Sequence, residues 1–126
     1  MITEDYCSYE VAKLLKEKGF DEQCRAAYTN YGKLFTTQIQ QYVTNVICSK
    51  GTLWDCTAPT LQMAMKWLRE EHSIAIEPML LSHGWFCQIE KILEDFCKEY
   101  IYETDNYKTY EEAVESALKY CLENLI

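Results

Sequence analysis

The chain has 126 residues, 48% hydrophobic and 25% charged, with a formal net charge of −8. Such a length buries roughly two thirds of its surface around a core without staples, and the apolar fraction excludes a disordered chain. From Gln88 onward ten acids stand against four lysines, which argues against binding a phosphate backbone, since that needs clustered Lys and Arg.

The seven cysteines (Cys7, Cys24, Cys48, Cys56, Cys87, Cys97 and Cys121) are odd in number and form no C-x-x-C pair. The first residues, MITEDYCSYE, carry no basic segment followed by an apolar one, so no export signal is expected. No run approaches the roughly 18 apolar residues of a membrane span. The expectation is a single cytoplasmic domain over residues 1–126, with reduced thiols serving as small core residues, no membrane and no cofactor.

In chain order, Ser8 is placed to cap a helix, YEVAKLLKEKGF, with Val11, Leu14 and Leu15 on one face. Lys16 and Lys18 suit its negative end, Gly19 supplies a left-handed residue, and Phe20 folds back on Leu15. The string EVAKLL is found in first helices of helix-turn-helix modules, but no second short helix follows, and Arg25 is the one basic residue between Lys18 and Lys33. Cys24–Tyr28 and Lys33–Thr37 read as strands of a hairpin around Thr29-Asn30-Tyr31-Gly32. The stretch Gln38–Cys48 is open between strand and short helix. Ser49-Lys50-Gly51 reads as a turn and Trp54–Cys56 as a short strand.

The clearest helix signal follows. Pro59 fits a first helical position, with Thr57 or Thr60 as cap. Leu61, Ala64, Met65 and Leu68 then recur at helical spacing up to His72, with Met63 and Trp67 on one flank. The apolar arc is about 200° wide on a 100°-per-residue wheel, so this helix is expected to be covered on more than one side. Its own chain can do that; alternatively Met63 and Trp67 face a partner, as Met and Trp build interfaces as readily as cores.

Three strands are expected next: Ser73–Leu80, with Pro78 marking an edge, a bulge or the strand's end; Trp85–Ile92, alternating Trp85, Cys87, Ile89 against Phe86, Gln88, Glu90; and Tyr100–Glu103. Ser82-His83-Gly84 turns the chain, and Glu94–Glu99 is a polar connection. Thr109-Tyr-Glu-Glu112 is a capping box for a last helix, with Tyr110, Ala113, Val114, Ala117, Leu118, Cys121, Leu122 and Leu125 inward and Glu115, Lys119 and Glu123 solvated. The fold class is therefore α+β: a three-strand antiparallel meander, plus an N-terminal hairpin packing on or extending the same sheet, covered by about three helices.

Helix–strand–strand–strand–helix is also the order of a double-stranded-RNA-binding domain. Those domains place lysines at the start of the last helix, where this chain has Glu111 and Glu112, which repel phosphates. A closer resemblance lies in VAKLLKEKGFDEQCRA (11–26), CTAPTLQMAMKWLREEH (56–72) and TYEEAVESALKYCLENLI (109–126), about 40% of the chain. These stretches resemble a group of short, uncharacterised proteins of Bacteroides-type gut bacteria, often set in prophages or mobile elements. The resemblance implies a cytoplasmic protein with a phage link and supplies no catalytic residues. It does not extend over 27–55 or 77–108.

No catalytic or metal-binding constellation is expected. His72, His83 and Cys87 lack the close ligand pairs of a zinc site. Cys87 follows His83 but nothing marks it as activated. Glu70-Glu71 and Glu111-Glu112 are neighbours on a helix and point apart. The four glycines are isolated at turns, and the tyrosines pack strands or line a recognition surface. The leading expectation is a small protein–protein interaction or accessory protein, partnered by an unknown protein or by itself as a homodimer through Met63 and Trp67, with no nucleic acid bound. Two alternatives stand beside it: a small enzyme using a Cys or carboxylate in a cleft, and an acidic nucleic-acid mimic, which needs the acids after Gln88 to share one face.

Overall fold

Ser8 begins the first element as its sequence suggests: its backbone is extended and its hydroxyl accepts the Val11 N–H at 3.2 Å, opening α1, Tyr9–Glu17. The computed structural model describes residues 1–38, 40–50 and 52–126, the Phe96 side chain apart. Contacts divide the chain into two units, Met1–Thr60 and Leu61–Ile126. It is an α+β fold, with four helices and two three-stranded antiparallel sheets among the described residues.

In the first unit α1 buries Val11, Ala12 and Leu15. It stops in a Schellman motif: the Phe20 N–H reaches the Leu15 carbonyl at 2.9 Å, the Gly19 N–H reaches Lys16 at 3.1 Å, and Gly19 sits at φ +93. The expected hairpin forms as β1, Ala26–Thr29, and β2, Leu34–Thr36. Its turn is held by the Thr29 hydroxyl, which accepts the Tyr31 and Lys33 amides at 3.3 and 3.2 Å.

The undecided stretch 38–48 divides in two. Val43 makes a bridge with Cys24, both bonds 2.9 Å, and Thr44 then caps a one-turn helix, α2, Asn45–Cys48. Ile39 and Gly51, the last residue of the expected Ser49–Gly51 turn, lie outside the described residues. β3, Trp54–Thr57, then pairs with β1, giving the order β2-β1-β3. The hairpin thus gains a third strand and forms a sheet of its own rather than extending one common sheet. Period-two alternation sorts the faces: Ala26, Tyr28 and Cys56 pack with Ala12 of α1, whereas Ala27 packs with Val43, Cys48 and Trp54.

The second unit opens with α3, Leu61–His72, two residues later than Pro59 suggested. The reason is non-local. The Pro59 carbonyl accepts the Cys7 N–H at 2.9 Å and Thr60 bridges Tyr6, which keeps the chain extended through Thr60. α3 buries Leu61, Ala64, Met65, Trp67 and Leu68. β4, Ile74–Leu81, β5, Gly84–Ile92, and β6, Lys98–Glu103, form the expected meander in the order β4-β5-β6. Pro78 lies inside β4, an edge strand, where a missing N–H is tolerated. A 3₁₀ turn, Glu94–Phe96, replaces part of the polar connection, so β6 begins at Lys98 rather than Tyr100. The β5–β6 register shifts between Ile89 and Glu90, leaving Ile101 as the extra residue.

α4, Tyr110–Asn124, is capped by Thr109, whose hydroxyl accepts the Glu112 N–H at 3.1 Å. Glu112 reaches back to the Thr109 hydroxyl at 3.0 Å. α4 packs on α3, β4 and β5; of its expected inward face Ala113 to Leu122 are buried, whereas Tyr110 and Leu125 at the two ends are half-buried. Lys119 lies 3.9 Å from Glu123. Glu115, expected in solvent, is half-buried.

Candidate functional site

The thiols are the strongest nucleophiles the chain carries once ionised. Six cysteines are buried and Cys97 is exposed, with no disulfide among them. Burial pushes the Cys87 thiol up to about 12. Burial does the same to Cys121, helped by Cys87, and to Cys56, helped by the Asp55 carboxylate. A thiol that ionises near 12 is a neutral hydrophobe at pH 7, not a nucleophile. Cys87 lies on the inward face of β5 while His83 is exposed in the turn before it, so sequence proximity does not make them a pair. His72 closes α3 with its ring edge-on to Trp67 at 4.8 Å, and its carbonyl accepts the Lys91 ammonium at 3.3 Å. Among the described residues no three His, Cys, Asp or Glu side chains gather as a metal site.

Two polar clusters are structural. The Tyr9 hydroxyl donates to the Asp55 carboxylate, which pushes the phenol up to about 12, and the Lys16 ammonium donates to the Asp55 carbonyl at 2.5 Å. These bonds pin α1 to β3. On the other sheet Lys98 bridges Glu90 at 3.1 Å and Glu77 at 3.5 Å, and those carboxylates hold the lysine above its ordinary value. Glu90 is buried, so the bridge neutralises a carboxylate that would be costly alone.

The acids of β5 and β6 do not share one exposed face. Glu99 stands opposite Lys91 on the side of the sheet that carries Ile89, Glu103 stands opposite Gln88 on the other, and Glu90 is inside. These strand acids do not supply the single acidic face that a nucleic-acid mimic needs. The second unit does run helix, three strands, helix, and at the start of its last helix stand Glu111 and Glu112.

The expected interface residues are placed unequally. Trp67 is 8% exposed, and Met63 is half-buried. Apolar side chains are exposed on the second unit at Leu80, Leu81, Leu93, Tyr100 and Tyr102, and on the first unit around β2. Every residue of β2 is exposed, and so are Tyr42, Val46, Ile47 and Leu53. Phe35 sets its ring edge-on to Trp54 at 5.6 Å, with the Lys33 ammonium 5.1 Å from its centre. Beside it an open groove of about 550 Å³ is lined by Thr36, Tyr42, Val43, Ile47 and Trp54 among others. Arg25 donates to the Tyr42 hydroxyl at 3.0 Å and lies over its ring. None of the groove-lining residues is acidic.

Among the described residues β2 is also an edge with unused backbone. The Lys33 carbonyl accepts from Thr29 at 2.9 Å and the Thr37 amide donates to Arg25 at 2.6 Å, so residues 33, 35 and 37 point their polar groups at β1. By strand alternation the N–H and C=O of Leu34 and Thr36 point outward. An edge of this kind next to apolar side chains is a template for another strand.

No family model, curated protein or solved structure matches the chain. The candidate surface therefore rests on its own geometry. Sequence patterning missed it, because Leu34-Phe35 reads equally as a central or an edge strand until the strand order is known. The available signal was Lys33 leading directly into so short a strand.

Proposed function

We propose that this is a small cytoplasmic interaction or accessory protein, phage-linked in setting, that works by docking protein rather than by catalysis. The observation that carries the reading is the exposed edge β2 flanked by Phe35, Tyr42, Ile47 and Trp54. Contiguous exposed apolar patches commonly mark interaction sites. The protonated, buried thiols supply no competing nucleophile.

A photo-crosslinking amino acid at position 35, in the cell that makes the protein, is expected to capture one discrete protein adduct. The same group at Lys66, on the solvent side of α3, is expected to capture none. Equal labelling at both positions, or none at either, would remove the reading.

A further inference from the structure

The docking surface has a geometry that selects its occupant. Resting on the reading above, we propose that the partner is a second copy of this chain, added across a two-fold axis so that β2 pairs antiparallel with its own symmetry mate. The two sheets then join as one six-stranded sheet, β3-β1-β2 continued by β2-β1-β3 of the mate.

Backbone direction fixes the register. The outward groups belong to Leu34 and Thr36, as the inward bonds at Lys33 and Thr37 require. An antiparallel mate satisfies all of them when Leu34 of one copy faces Thr36 of the other, exchanging both bonds, twice over by symmetry. The axis then passes between the two Phe35 residues. They form the non-hydrogen-bonded pair, in which side chains approach closest, and an aromatic pair there adds to area burial. A strand with an odd number of outward-facing residues would instead place a hydrogen-bonded pair at the axis.

Area and charge agree with a second copy. Leu34 and Phe35 on β2, with Tyr42 and Ile47 lining the groove, are 38 to 46% exposed. Together they offer roughly 350 Å² of side-chain surface per copy, to which the paired edge backbone adds, the scale of a weak interface that buries under ~1,200 Å² in total. A protein of charge −8 resists self-association, but the charge is uneven: residues 1–60 carry seven acids and six bases, residues 61–126 thirteen acids and six bases. The nearly neutral unit is where two copies meet at least electrostatic cost. A two-fold interface also closes at two copies and leaves no open filament.

The test is light scattering behind gel filtration, with reductant, on the whole chain. Wild type is expected at one chain mass at about 5 µM and near two at about 500 µM, as an interface of modest size implies. Thr36→Pro removes an outward amide and no inward bond, so it is expected to stay at one chain mass at both concentrations with an unchanged circular dichroism spectrum. If that variant fails to fold, Phe35→Cys in a Cys97→Ser background serves instead. Its thiols face each other across the axis within disulfide reach and are expected to crosslink on mild oxidation, whereas Leu34→Cys is not. A wild type of one chain mass throughout, association of Thr36→Pro equal to wild type, or crosslinking equal at positions 34 and 35 would overturn the two-fold pairing. A monomeric wild type whose position 35 still captures another protein in cells would overturn this inference alone and leave the proposed function standing.

Discussion

Gly84→Val is expected to lower stability by about 3–5 kcal/mol, among the largest effects of any single change outside the core. Gly84 opens β5 at φ +126, a conformation that L side chains rarely adopt, and a Cβ there would stand 2.3 Å from the Tyr107 carbonyl oxygen. That oxygen cannot retreat freely. It accepts the Trp85 N–H at 2.8 Å, and the Tyr107 N–H returns to the Trp85 carbonyl at 2.7 Å. The clash therefore breaks the bridge that holds the approach to α4 against β5. Gly19→Ala is the control, since Gly19 has φ +93 but nothing within 4 Å of the added carbon. It should cost only about 1 kcal/mol, the conformational part alone. Urea denaturation of the two variants measures the difference; equal losses would mean that the Tyr107 contact is irrelevant.

The second large effect is expected at Asn45, one of the few buried polar side chains in the first unit. Its amide nitrogen donates to the Phe20 carbonyl at 2.6 Å and its amide oxygen accepts the Thr57 N–H at 2.9 Å. One side chain thereby joins the end of α1 to β3 from the first turn of α2. Asn45→Ala leaves a buried backbone donor and a buried backbone acceptor unpaired, each worth about 1–3 kcal/mol. The expected loss is about 3 kcal/mol in chemical denaturation. A loss under about 0.5 kcal/mol, the range of an ordinary surface change, would contradict this role.

Asn45 also shows why one part of the fold was illegible. Residues 38–48 carry no decisive period, and their conformation is set from far away, by the Cys24–Val43 bridge and by the two bonds of Asn45. The start of α3 failed for the same reason: Pro59 suits a helix terminus locally, but the pairing of Tyr6 with Thr60 holds it extended. What read correctly was local. Ser8, Gly19 and Thr109 act within one turn of their own helix, so the caps and the Schellman end are where the sequence places them. The meander followed from short connections and alternation, while Pro78 left an edge, a bulge or a strand end open and the strand order decides for the edge.

The candidate site was less legible. The wide apolar arc of α3 directed attention to Met63 and Trp67, yet Trp67 is buried, so Met63→Glu with Trp67→Lys would test folding before association. A wheel shows how much apolar surface a helix has and not what covers it. Conversely, Phe35 and Tyr42 became candidates only once the order β2-β1-β3 made β2 an edge.

The most direct test of the account is amide hydrogen exchange, read residue by residue along β2 in dilute solution. A slow Phe35 amide, which belongs to the bonded pair with Ala27, is expected between fast Leu34 and Thr36 amides, which point outward. Those two amides are expected to slow when a partner strand is docked. Leu34 and Thr36 amides as slow as that of Phe35 in the dilute chain would mean that the edge is already covered, and would contradict the docking surface itself.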